Sequence, residues 1–517
     1  MCGILAVVQG NTIRTLLPLL RRGPDEQGTF TDANMYMGHT RLSIVHPEAG
    51  PQPILYKNWV ITMNGEIYNA NPAKCETDCF VVPKLLEQYG VECVHHLDGI
   101  FSFVAYNRHT KRIVVARVAV GVTPLYWSKG EGCTFSSLLA AMPENEPVNI
   151  VPPGHIAEFA VGEEVTFTQW RTPYKQQPFW NTTGDIVQLM THAVSKRLMG
   201  DVPWGVLLSG GLDSTIVASL AVKLAPKIRP DYPVVHTFCI GLRDSPDIKW
   251  AKKVAQVLGT HHTSVEYTVE EGIAAIPRVI KAVETYDVTT VRASTPMWLL
   301  GKALKARGIK MVLSGEGSDE LFAGYLYNLY CPNETEMVKE CILKMEQLHA
   351  YDCQRANKSM GDWGVETRVP FLDKAVVDFA MNKLAPTHKL SGTHPDGPKP
   401  EKWWLRDAFR GIVPDCVINR TKAQFSDAVG NKWIEGLLNE AKQTTETFEY
   451  NAPTSDEAHW YRRIFAQCFP QQHAEKTVLY TGKSIACSTS SASDWHPNFV
   501  KHLDPSGEAI HKSMSTL

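Results

Sequence analysis

A chain of 517 residues, 44% of them apolar and 21% charged, is too long for one hydrophobic core, and two domains are expected. A formal charge of -2 argues against a dedicated nucleic-acid surface and leaves no polybasic stretch for a membrane; no apolar run reaches the roughly 18 residues of a spanning helix. Twelve cysteines, scattered and without a CxxC pair, predict reduced thiols and a cytoplasmic setting.

Residues 2–160 are rich in short strand-like runs: Ile4–Val8, Arg41–Val45, Trp59–Met63, Phe101–Tyr106 and Arg112–Ala116. Asn64-Gly65 reads as a tight-turn dipeptide, and Pro152-Pro153-Gly154 closes the region. The pattern predicts an α+β domain of stacked antiparallel sheets with few helices. Residues 161–184, polar and holding Gln176-Gln177-Pro178, read as a linker. From Asp185 to residue 517 helices alternate with short apolar strands at Val206–Leu208, Val235–Ile240 and Met311–Leu313, which predicts an α/β domain on a parallel sheet with crossover helices. Ile248–Leu258 reads as a helix stopped by Gly259. After about Tyr325 helical patterns replace strands, and Ser484–Ser493 reads as a loop.

The stretch Val206–Thr215 carries the strongest local signal. An apolar strand breaks into Ser209-Gly210-Gly211, and a helix follows with Leu212, Ile216, Leu220 and Leu224 on one face. Such glycines let the backbone approach an anion, and the helix start offers unpaired N–H groups at the positive end of its dipole. Ser209 and Ser214 add hydroxyls, while Asp213 adds a carboxylate that suits magnesium-bound pyrophosphate better than bare phosphate. A Walker loop would need Lys before its final Ser or Thr. Ser-Gly-Gly-Leu-Asp-Ser instead resembles the loop of ATP pyrophosphatases, which adenylylate a carboxylate or carbonyl and release pyrophosphate.

At the other end of the chain, removal of Met1 would give Cys2 both a thiol and a free α-amine, whose pKa near 7.7–8.0 suits a general base toward its own side chain. Asn64-Gly65-Glu66 offers a side-chain amide and a backbone N–H, the donor pair an oxyanion needs. Arg41 opens Arg-Leu-Ser-Ile-Val, and Asp78 stands ahead of a helix.

Met-Cys-Gly-Ile, Arg22-Gly23-Pro24-Asp25, Arg41–Val45, Asn64–Asn69 and Pro124-Leu125-Tyr126 resemble the N-terminal-nucleophile glutamine amidotransferases. With Ser209–Ser214, Ser245-Pro246-Asp247, Glu284–Asp287, Arg292-Ala293-Ser294, Ser314–Glu320, Arg368–Asp373 and Lys422–Asp427 in order, the whole chain resembles the glutamine-hydrolysing asparagine synthetases. The resemblance implies ATP-dependent conversion of aspartate and glutamine to asparagine and glutamate through a β-aspartyl-adenylate, with AMP and pyrophosphate released. It implies that Cys2 attacks the glutamine amide, that Asn64 and Gly65 hold the oxyanion, and that Arg41 and Asp78 pair with the substrate carboxylate and α-ammonium. Leu42, Ser43, Ile44, Val45 and Glu66 complete the implied glutamine pocket. Leu207, Ile240, Ser314 and Gly315 would line ATP; Ser209, Gly210, Gly211, Asp213, Ser214 and Lys422 would meet pyrophosphate. Asp213 and Asp319 are the implied Mg2+ ligands, Arg292 the aspartate contact, and Glu316 a proton acceptor as ammonium enters. Small-molecule substrates, a homodimer, and neither nucleic acid nor membrane complete the expectation.

The sequence departs from the family pattern in three places. Arg21 stands where the family has His, Val118 where it has Asp, and Leu138 with Ala140 where it has Glu and Lys. One explanation is a single charged cluster exchanged whole for apolar residues; coupled effects of Leu138→Glu and Ala140→Lys would reveal it. Two other functions share the motifs: a β-lactam-synthetase-like enzyme acting on another carboxylate, and a non-catalytic assembly protein.

Overall fold

The computed structural model describes residues 1–9, 15–70, 77–175, 185–420, 431–441, 447–479 and 488–495. Strands β1 (Gly3–Val8), β2 (Glu26–Thr31), β3 (Met35–Arg41), β4 (Ile54–Tyr56), β5 (Trp59–Ile67), β6 (Gly99–Asn107), β7 (Arg112–Arg117), β8 (Tyr126–Lys129), β9 (Cys133–Ser136), β10 (Val148–Ile150), β11 (His155–Ala160) and β12 (Thr168–Gln169) build the first half. They form two six-stranded sheets in the orders β10-β8-β9-β1-β3-β2 and β12-β11-β7-β6-β5-β4, antiparallel throughout. Alternation along β1 fixes how they stack. Ile4, Ala6 and Val8 pack with Val60, Val104 and Val115 of the second sheet, whereas Leu5 and Val7 face Leu16, Leu19 and Leu138. The second sheet's outer face, with Ile61, Met63, Phe101 and Phe103, is covered by Val82 and Leu86 of α1 (Val81–Tyr89).

Several expectations need correction here. Strand β5 runs straight through Asn64-Gly65, so that dipeptide makes no turn; Gly65 instead takes φ +139° within the strand, and a Cβ there would lie 1.8 Å from the Ile100 carbonyl oxygen. Strand β3 ends at Arg41, and Leu42–Val45 leaves the sheet because its amides and carbonyls bond to Asp25, Arg41 and Asp201 instead of a neighbouring strand. The expected linker begins inside the sheet: β12 pairs with β11, and Trp170 Nε1 donates to the Arg117 carbonyl. Residues 176–184 lie outside the described residues.

The second half opens on α2 (Ile186–Arg197), whose first turn is capped by the Asp185 carboxylate accepting from Val187 and Gln188 N–H. A five-stranded sheet follows, all parallel, in the order β15-β14-β13-β16-β17, from β13 (Trp204–Leu207), β14 (His236–Leu242), β15 (His261–Tyr267), β16 (Met311–Leu313) and β17 (Glu366–Arg368). Helices α3 (Leu212–Ile228), α4 (Pro246–Leu258), α5 (Val269–Val283) and α6 (Val288–Lys305) make the crossovers. Apolar residues cover both faces: Val206, Leu208 and Leu313 pack toward α2 and α3, while Leu207, Phe238 and Val312 pack toward α5 and α6. Helix α4 starts at Pro246, capped by Ser245 and two residues before the expected Ile248, and stops at the expected Gly259 in the left-handed conformation. Strand β17 was not expected; three residues are too short to show a period. Beyond it lie short helices, with α7 (Ser318–Phe322), α8 (Glu334–Gln347) and α9 (Asp352–Gly361) placed earlier in the chain between β16 and β17.

The departures from the family pattern do not meet. Val118 packs beside Phe101 and Trp170, Leu138 beside Leu5 and Leu19, and Ala140 beside Leu139 and Ile276. Arg21 is half exposed, with Nε 2.9 Å from Asp362 and its guanidinium over the Trp363 ring. A single exchanged cluster is therefore not what the structure holds. Among the described residues the two side chains pack into different clusters, so Leu138→Glu and Ala140→Lys are each expected to destabilise by burying a charge, and the double variant by more than either alone, in chemical denaturation.

Candidate active site

The order of the parallel sheet reverses at β13: the chain runs outward to β14 and β15, then returns to β16 on β13's other side. A cleft opens at the carboxyl ends of strands at such a reversal. Here it is lined by Leu207, Ser209, Gly211, Asp213, Ser214, Ile240, Ser314, Gly315, Glu316 and Asp319, which the sequence had named. Gly210 lies behind, at φ +74°, where a Cβ would come within 2.7 Å of the Trp250 carbonyl carbon of α4. The two serines steady the loop: Ser209 Oγ lies 3.1 Å from Ser214 Oγ and accepts from Gly211 N–H.

Asp213 and Asp319 converge. The Lys402 ammonium sits 2.7 Å from an oxygen of each and donates to Ser318 Oγ as well. Nothing in its local sequence marks Lys402: it stands far along the chain in a left-handed turn just before a short helix, Trp403–Ala408. Glu316 faces the same cleft, and burial pushes its carboxyl up to about 7 despite Arg355 Nη2 at 2.6 Å. Asp352 also pairs with Arg355, and Glu320 accepts from Tyr325 OH; burial beside Asp352 raises Glu320 to about 8. Arg355, Asp352 and Lys402 line the cleft and were missed in the sequence; Glu320, the last residue of the Ser314–Glu320 motif, lines it too but had been given no role. Arg292, in contrast, is turned away from it, its guanidinium bound to Glu457 through Nε at 2.9 Å and Nη2 at 2.6 Å. Lys422 lies outside the described residues.

In the first half, Cys2 precedes β1 and lies beside β5. Its backbone N–H donates to Asn64 Oδ1 at 3.0 Å, which turns the Asn64 Nδ2 donors away; that nitrogen is buried and without a partner among the described residues. A buried donor left open in this way is suited to a developing oxyanion. The thiol lies 4.0 Å from the Leu42 carbonyl, and burial raises its pKa. Asp78 accepts from Ile67 N–H at 2.7 Å, and burial pushes its carboxyl up to about 6. Such a carboxylate gains from a cation beside it. Both terminal nitrogens of Arg41 are engaged: Glu26 at 2.5 Å and the Pro47 carbonyl take Nη1, and the carbonyls of Val45 and His46 take Nη2. Ser43 N–H donates to Asp25, and Leu42, Ile44, Val45 and Glu66 are buried around it.

Helix α9 touches both places. Arg355 on its first turns holds Glu316, while Asn357 Oδ1 accepts from Arg22, whose Nε donates to the Cys2 carbonyl. One residue on, Lys358 Nζ lies 2.6 Å from both Glu284 Oε2 and Tyr126 OH, and Glu284 also accepts from Ala140 N–H. These groups are buried, so removing one partner would leave an uncompensated charge between the two halves.

Comparison with known proteins agrees with this division. The glutamine amidotransferase domain family matches residues 1–176, and the asparagine synthase family matches 185–337 and 330–496. Asparagine synthetase (glutamine-hydrolyzing) 3 of Arabidopsis thaliana is 43% identical over 552 residues, covering 98% of this chain and 94% of that protein. The Zea mays asparagine synthetase (glutamine-hydrolyzing) is 41% identical over 565 residues, covering 100% and 94%. Among solved structures, a B. subtilis glutamine phosphoribosylpyrophosphate amidotransferase matches at TM-score 0.29 and 13% identity over 52% of this chain and 91% of its own, too distant to bear on the argument. Two family matches in the order of the two sites, with near full-length identity above 40%, place this chain in the glutamine-hydrolysing asparagine synthetase family.

Proposed function

We propose that the chain makes asparagine from aspartate, using ATP to form a β-aspartyl-adenylate in the cleft and ammonia released from glutamine at Cys2. The observation that carries this reading is α9, one helix that holds Glu316 through Arg355 and the Cys2 backbone through Asn357 and Arg22. At the first site, with Met1 removed, Cys2 forms a thioester with the glutamine acyl group while Asn64 Nδ2 and the Gly65 N–H receive the oxyanion. Asp78 takes the substrate ammonium. Arg41 takes its carboxylate in exchange for one of its present acceptors.

At the second site Leu207, Ile240, Ser314 and Gly315 hold the nucleotide, and the Ser209–Ser214 loop with Lys402 and Lys422 holds the departing pyrophosphate. Asp213 and Asp319 fit Mg2+: their hard oxygens converge on a single cationic position, now filled by the Lys402 ammonium. The ion, when bound, would neutralise pyrophosphate charge. Glu316 accepts the proton that the nitrogen sheds as it attacks the adenylate. The aspartate contact implied for Arg292 would require it to leave Glu457; Arg355, already in the cleft, is the better placed guanidinium.

The test is ATP–pyrophosphate exchange with and without aspartate, followed by asparagine formation with glutamine or ammonium as donor. Aspartate-dependent exchange and asparagine from both donors are expected. Exchange driven by a different carboxylate would replace aspartate as the acceptor.

A further inference from the structure

A second recess, separate from the cleft, lies on the seam between the two halves. Ile100 and Phe101 of β6, Val118 after β7 and Trp170 after β12 come to it from the first half, and Leu372 and Val377 from the second. Val118 is the position at which the family pattern has Asp. With Val there the wall is apolar, and its charged residues are Arg171 and Lys374, the latter in the first turn of α10 (Lys374–Asn382).

The side chains of Arg171 and Lys374 have no ion-pair or hydrogen-bond partner among the described residues. The carboxylates whose charge reaches Lys374, Asp98 and Asp373, are already taken: Lys196 Nζ lies 2.6 Å from each, and Arg197 Nη1 lies 2.7 Å from Asp373. Arg171, Lys374, Lys196 and Arg197 thus share two carboxylates, which leaves positive charge in excess at the recess. Partial loss of water, and then the Arg171 charge, hold the Lys374 ammonium below its ordinary pKa, as two cations side by side without an anion require.

An apolar recess with unpaired cations in its wall suits an anion that carries an apolar body. The body leaves water against Phe101 and Val118, and the carboxylate takes the cations. Inorganic phosphate would satisfy the cations but not the apolar wall, and a neutral hydrocarbon would satisfy only the wall. We propose that this recess is an effector site for a small monocarboxylate with a short branched hydrocarbon body. The space inside admits about four heavy atoms beyond the carboxylate.

The recess backs onto both active sites. Ile100 and Phe101 pair with Glu66 and Gly65 on β5, so one wall is the strand beside the oxyanion donors. On the other side Leu372 fills the space over Gly317, where a Cβ would lie 2.3 Å from its Cδ2. Gly317 itself stands in the cleft between Glu316 and the turn that carries Asp319. Whatever sits in the recess is one residue from the first site's strand and one from the cleft.

The experiment titrates 3-methylbutanoate into the full chain without substrates and reads binding by ligand-observed NMR. A dissociation constant of about 1 mM is expected for so few atoms; 3-methylbutylamine, the same body with a cation, should not bind. Arg171→Gln and Lys374→Gln should each weaken binding about tenfold. Val118→Asp, which places a carboxylate of the chain's own beside the two cations, should weaken it at least as much. No binding to wild type, or equal binding to all three variants, overturns the proposal. Melting curves show whether each variant is folded, and the two rim variants decide the matter if Val118→Asp is not. With ligand saturating, the dissociation constant of ATP, or of glutamine on Cys2→Ala, should shift by about twofold or more, with the same factor returned on the ligand. Binding in the recess with neither constant shifted overturns the effector role. Binding is read without turnover, so its failure leaves the reading of the reaction untouched.

Discussion

Replacing Cys2 by Ala is expected to lower glutamine-supported asparagine formation about a thousandfold or more, while ammonium-supported formation stays within about twofold of wild type. The size follows from the loss of a nucleophile for which no neighbour substitutes; the remaining donors still bind glutamine but have nothing to attack it with. The selectivity follows from distance along the fold: the thiol sits before β1, and the adenylating cleft lies beyond the carboxyl end of a different sheet. Burial raises the thiol's pKa, so it needs a base. With Met1 in place the Cys2 nitrogen is an amide, donates to Asn64 Oδ1 and has no basicity; with Met1 gone the same nitrogen is an amine. Steady-state assays with each donor, scored for asparagine and glutamate, check this. Equal loss with both donors would mean that Cys2 supports the cleft as well.

What the sequence disclosed depended on how locally each feature is encoded. The Ser209–Ser214 loop was readable because strand, glycines, hydroxyls and helix fall within ten residues, and the structure puts that loop at the reversal of the sheet. Asn64-Gly65 was misread as a turn because the dipeptide's preference is local, whereas pairing with Ser102 and Phe101 on β6 holds β5 straight through it. Arg41–Val45 alternates like a strand but is claimed by Asp25 and by Arg41 itself. Lys402, Arg355 and Asp352 were invisible for another reason. Each is a charged residue in a polar stretch, and only the third dimension brings them beside Asp213 and Glu316. Arg292 shows the converse. Its motif was legible, yet its guanidinium is bound to a glutamate 165 residues further on, which no spacing rule could reveal.

Glu316→Gln is expected to remove asparagine formation with either donor, by about a hundredfold to a thousandfold, while release of glutamate from glutamine continues. A neutral amide keeps the shape and one hydrogen bond to Arg355 but accepts no proton from the incoming nitrogen. The wild-type pH profile carries the same information. Burial lifts Glu316 to about 7 from an ordinary 4.5, so the carboxylate needed for proton acceptance disappears as pH falls through 7, and synthesis from the adenylate should lose its rate along that limb. The sign for stability is opposite. A carboxyl whose pKa is raised on folding binds its proton more tightly in the folded state, so ionisation costs stability as pH climbs from 4.5 toward 7. Glu316→Gln should therefore lose less Tm than wild type between pH 5 and pH 8, because the amide has no proton to give up. A variant inactive with both donors but flatter in Tm against pH identifies a buried proton acceptor. Loss of activity with an unchanged Tm profile would mean that Glu316 is ionised throughout, held so by Arg355, and that the low-pH limb of synthesis belongs to another carboxyl of the cleft, Glu320, which burial raises to about 8.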